Sequence, residues 1–153
     1  MRLAFTLLIS LQFLIILSHD LVEVRGWSHS SQMAAALGKP KLWMATLINA
    51  VFPGVAMAFA LRFWSRPIPA FVERYWLIYC AVTIVSAIAM WYLPYFLGAS
   101  EKKKDEYQRF YDGTRQLLPA RGDNPRPNLL HILFHGVFVA TFCLAVLLNI
   151  HRG

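Results

Sequence analysis

The stretch "LLHILFHGVFVATFCLAVLLNI" runs from Leu129 to Ile150 without one Asp, Glu, Lys or Arg. Wound as an α-helix at about 1.5 Å per residue it extends roughly 33 Å, enough to cross a hydrocarbon core about 30 Å thick. A segment of this length and polarity is a transmembrane helix, and the rest of the chain repeats the pattern. Of the 153 residues 58% are hydrophobic and only 15% charged, whereas soluble domains carry about half and about a quarter. Three further windows are nearly free of charge: "LAFTLLISLQFLIILS" (Leu3 to Ser18), "LWMATLINAVFPGVAMAFALRFW" (Leu42 to Trp64) and "YWLIYCAVTIVSAIAMWYLPYFLG" (Tyr75 to Gly98).

The first window is short, and Arg2 before it resembles the positive start of a secretory signal. The following "LSHDLVEV" lacks a small-x-small cleavage site, so the segment is expected to stay as a span. Trp43, Trp64, Trp76, Trp91, Tyr75, Tyr92 and Tyr95 lie toward the ends of the second and third windows, where amphipathic rings settle at headgroup level. The expected fold is therefore all-α: a single domain over residues 1–153, with four transmembrane helices at about 3–18, 42–64, 75–98 and 129–150. Pro53 and Pro94 should bend the second and third.

The connections have their own signals. "SSQMAAALGKP" predicts a short helix capped by serine, ended by Gly38, with Pro40 beyond it. The third loop, 99–128, opens with "SEKKKDEYQRFYDGT", in which Ser100 caps a helix and Tyr107, Phe110 and Tyr111 share one face. That pattern predicts an interfacial helix lying on the membrane, aromatic face down. The proline- and glycine-rich remainder predicts no regular structure, and Asn128 is placed to cap the fourth span.

Four crossings put loops one and three on one face of the membrane, and the N-terminus, loop two and the C-terminus on the other. The loop-rich face has ten Lys and Arg against five, which makes it the cytoplasmic one. It also gathers His19, His29, His131 and His135, four of the five histidines. The net charge of +7 sits beside apolar spans, where anionic lipid headgroups account for it and nucleic acid need not be invoked. Lys102, Lys103, Lys104, Arg109 and Arg126 are the expected contacts to such lipids or to a partner.

No carboxylate or base lies in the middle of a span, which excludes the usual signature of a proton-coupled transporter. The neutral polar residues Gln12, Thr46, Asn49, Thr83, Ser86, Thr141 and Asn149 are expected to make helix contacts, and Gly136 with Ala140 a close-approach seam. Cys80 and Cys143 lie at depths that agree to roughly 3 Å and meet if their faces do, but the spacing holds no paired-cysteine motif.

Two functional classes stay open. One is a non-enzymatic accessory or scaffold subunit that associates with itself or with other membrane proteins. The other is a membrane enzyme or redox protein with its site at the loop-rich face, built from His131, His135, His19 and Asp20. The i, i+4 spacing of His131 and His135 suits chelation of a metal with His19, or axial ligation of haem.

Overall fold

The computed structural model describes residues 1–111 and 113–150. The elements run α1 (Arg2–His19), α2 (Ser30–Leu37), α3 (Lys39–Arg62), α4 (Ala70–Ala87), a π-turn (Ile88–Tyr92), α5 (Leu93–Leu97), α6 (Glu101–Tyr111) and α7 (Leu129–Ile150). The fold is 74% helical, with no strand among the described residues. Four helices among these residues are long and apolar enough to cross a membrane: α1, α3, the continuous Ala70–Leu97 and α7. The chain thus fits a multi-pass membrane protein with several shorter helices between the spans.

Two span starts come earlier than the sequence expectation, the second by three residues and the third by five. The second span begins at Lys39, because Gly38 takes φ +82° and Pro40 suits a first helical turn that needs no N–H donor; Pro40 lies beyond α2 as expected and also opens α3. The third begins at Ala70, which draws Glu73 into its first turn, where it is buried. Near the end of that span Pro94 has no N–H to give to residue 90. The helix absorbs the lost bond by widening, so that Leu93 N–H reaches back to the Ile88 carbonyl in a π-turn.

Helix α1 packs against α3 and α7, and α4 packs on α7. Phe5 lies tilted against Trp76, ring centroids 4.5 Å apart, and Ala56, Ala60, Val72 and Cys80 fill the space around them. Within this apolar core Gln12 donates to Thr141 Oγ1 (2.6 Å) and accepts from Tyr79 Oη (2.9 Å). The triad is self-satisfied, which is what keeps three polar side chains tolerable there; each buried group left unpaired costs about 1–3 kcal/mol. Gln12 and Thr141 thus make the helix contacts expected of them.

The ends of the helices fall into two groups. Arg2 Nη1 donates to the carbonyls of Trp64 (3.1 Å) and Arg66 (3.0 Å), which ties the N-terminus to loop two. At the opposite end the rings of His19 and His131 stand 5.8 Å apart. Over that end residues 20–38 and 99–128 fold into a cap. Arg115 N–H donates to the Gly26 carbonyl (2.7 Å) and Leu129 N–H to that of Arg115 (2.8 Å), joining loop one to loop three. Tyr95 Oη donates to Pro119 O (3.1 Å), Asn124 to Tyr95 O (3.1 Å), and Arg121 lies over the rings of Tyr95 and Phe96.

Two expectations about packing are corrected, and the open question of the two cysteines is answered. The aromatic face of α6 turns onto the bundle: Tyr107 and Tyr111 pack against Trp91 at 6.4 and 5.1 Å. An aromatic stripe serves protein and lipid equally well, and the protein offers Trp91. Gly136 and Ala140 face outward, with nothing within 4 Å of a Cβ added at Gly136, so they form no seam within the chain. Cys80 is buried and Cys143 exposed, and both are free thiols; they share a depth but not a face.

Candidate functional site

The loop-rich end holds the histidines the sequence placed there. Asn128 caps α7 by accepting the backbone N–H of His131 at 2.9 Å. A backbone N–H only donates, so the facing atom of Asn128 is its carbonyl oxygen. The same oxygen lies 2.7 Å from His131 Nδ1. Nδ1 therefore carries the hydrogen of the neutral ring, and Nε2 keeps the lone pair. The spacing Asn128-x-x-His131 thus performs a cap and a tautomer choice together.

Around this ring, which is buried, the packing is aromatic. Trp91 lies at 4.1 Å and Tyr111 meets it edge-on at 5.3 Å. His135, one turn further in, is 6.0 Å away, and its Nδ1 lies 3.3 Å from Tyr92 Oη. On the α1 side His19 Nε2 sits 2.9 Å from Asp20 Oδ1. The other ring nitrogen of His19 faces the Ile16 carbonyl at 3.3 Å. Thr46 of α3 donates to Asp20 Oδ2 at 3.1 Å. Burial pushes the Tyr111 hydroxyl's pKa up, with the Asp20 charge adding to it.

Loop one closes the end through Glu23, which caps α2 in place of the serines. Its Oε2 accepts from Ser31 N–H (2.9 Å) and Ser30 Oγ (3.1 Å), and Oε1 lies 3.3 Å from His29 Nδ1. These donors, the Ser31 amide foremost, hold the carboxyl down at about 2. Ser30 is a donor to this carboxylate; the expected serine cap is supplied from outside the helix.

The four candidates His131, His135, His19 and Asp20 are thus brought together, and His29 joins them. No curated protein, family model or solved structure matches this chain. What the site can do rests on its own geometry. Between His19, His29, Met33, Tyr111, Asn128 and His131 lies a cavity of about 10 Å³, the room of about one water, and a haem does not fit there. Among the described residues no group of three or more His, Cys, Asp or Glu is placed to hold a metal. A far larger depression, about 660 Å³, is at the opposite end beside Arg2, Arg66 and Glu73, away from the histidines.

The basic residues divide in two. Lys104 pairs with Glu101 and Asp123, both at 2.8 Å, and Arg126 donates to the Leu118 carbonyl at 3.1 Å; both serve the cap. Lys102 and Arg109 remain exposed and Lys103 half-exposed on α6. Sequence reasoning missed Trp91, Tyr111 and Tyr92 as neighbours of the histidines. The stripe on α6 was visible, but not which surface it would cover. His151 lies outside the described residues.

Proposed function

We propose that the protein is a non-enzymatic subunit of a membrane assembly, in which four spans carry a folded cap on one side of the bilayer. The supporting observation is the close packing of the loop-rich end. Its histidines are spent on joining α1, α7 and the cap, and the remaining space of about 10 Å³ is far below the 300–1,000 Å³ of ordinary ligand sites. The cap faces the cytoplasm on this reading, because ten basic residues flank it, and Lys102, Lys103 and Arg109 are its contacts to anionic lipid headgroups or to a partner. Purification from native membranes in mild detergent tests the proposal. Retention of other membrane proteins, or of further copies of this chain, with no metal by elemental analysis and no chromophore, is the expected result. A lone protein carrying a stoichiometric cofactor would overturn it.

A second reading has one observation in its favour. The His131 ring, with its lone pair on Nε2, stands 5.8 Å from the ring of His19, which itself neighbours Asp20, an arrangement that would suit a general base in a membrane enzyme. On that reading His135→Ala and His131→Ala abolish activity and His151→Ala does not; equal effects of all three would dismiss it.

A further inference from the structure

Helices α3 and α4 meet only along part of their length. Ala45, Asn49, Phe52, Ala56 and Phe59 recur at alternating four- and three-residue steps and so form one stripe of α3. Tyr75, Tyr79, Thr83 and Ser86 form the matching stripe of α4, and Met90 of the π-turn follows it. Near loop two the stripes touch: Tyr75 Oη donates to Phe52 O (2.8 Å), Trp76 Nε1 to Ala56 O (3.2 Å), and Phe59 lies against Phe71 and Tyr75. Ala56 is wholly buried there. Further along the same stripes Ala45 and Asn49, and opposite them Ser86 and Met90, are exposed. The two helices therefore part toward the loop-rich end and leave a gap open to the bilayer.

This gap is polar where a bilayer is driest. Asn49 lies about 15 Å in from Lys39, and Ser86 about 17 Å in from Leu97, so they share a depth near the midplane. Among the described residues neither side chain makes a hydrogen bond, although Thr83 on the same wall bonds back to the Tyr79 carbonyl. Asn49 is doubly deprived, since Pro53 inside α3 has no N–H to give to the Asn49 carbonyl. Acyl chains offer neither donors nor acceptors. The occupant must bring hydrogen-bonding groups at that depth.

We propose that the gap between α3 and α4 receives α3 of a second copy of this chain. The inference rests on the assembly reading above and names its partner. Two copies inserted with the same topology are related by a two-fold axis along the membrane normal, so only residues at equal depth meet. Asn49 meets this condition with itself and with Ser86. A carboxamide holds both a donor and an acceptor, so two of them are complementary to each other. Ala45, one turn away and exposed, lets the backbones approach.

The test is oxidative cross-linking in native membranes of the full chain carrying Ala45→Cys in a Cys80→Ala, Cys143→Ala background. A disulfide-linked dimer of this chain is expected. Asn49→Leu, which leaves the apolar exterior intact, should weaken dimerisation measured in nanodiscs roughly tenfold, with a smaller loss for Ser86→Ala and none for Asn149→Leu. Cross-linking of the Ala45→Cys chain only to a different protein overturns the second copy as partner while leaving the assembly reading standing. Monomer throughout, unchanged by Asn49→Leu, overturns the docking surface itself. A dimer that also carries a cofactor and turns over a substrate would refute the non-enzymatic reading and leave this one intact.

Discussion

Asn128 acts twice, as the cap of α7 and as the acceptor that orients His131, so its loss is felt in two bonds. Asn128→Ala should lower stability by about 1–2 kcal/mol in a denaturant titration of the detergent-solubilised protein, and an unchanged midpoint would remove the cap from the account. Glu23 offers a separate test, because its carboxyl is held at about 2 against an ordinary 4.5. A depressed acid contributes its stabilisation above the ordinary value and loses it as pH falls through the folded one. The Ser31 amide resonance should therefore titrate with a midpoint near 2, and in Glu23→Gln that titration should vanish. A midpoint near 4.5 would mean that the cap is not formed.

The helices show which part of the fold could be anticipated. Uncharged length alone marks the spans, because a backbone in hydrocarbon has no alternative to a helix. Asn128 was legible as a cap because capping is a local event. What could not be read was which surface each stripe covers. The aromatic face of α6 covers Trp91, and Gly136 looks outward, for reasons that lie in distant segments. The glycines turn this into a prediction. Gly136 has nothing within 4 Å of an added Cβ, whereas a Cβ at Gly54 would lie 3.2 Å from the Phe13 ring. Gly136→Ala should leave stability unchanged or raise it by up to about 1 kcal/mol, while Gly54→Ala must also shift the Phe13 ring by a few tenths of an ångström and should gain less. Thermal unfolding of the pair in the same detergent decides the matter, and the reverse order would refute the packing of α1 on α3.

For the whole molecule, counting crossings was enough to bring His19 and Asp20 to the same end as His131 and His135. The cluster's aromatic walls, the cap joining loops one and three, and the gap between α3 and α4 are products of tertiary packing and leave no local mark. Any role of the histidine end requires the two loops to lie together. The most direct measurement is labelling of single cysteines by a membrane-impermeant maleimide in sealed vesicles, using Gln32→Cys in loop one, Ala120→Cys in loop three and Ser65→Cys in loop two, each without the native thiols. Gln32→Cys and Ala120→Cys should react from one side and Ser65→Cys from the other. Labelling of Gln32→Cys and Ala120→Cys from opposite sides would contradict the fold and disband the histidine cluster.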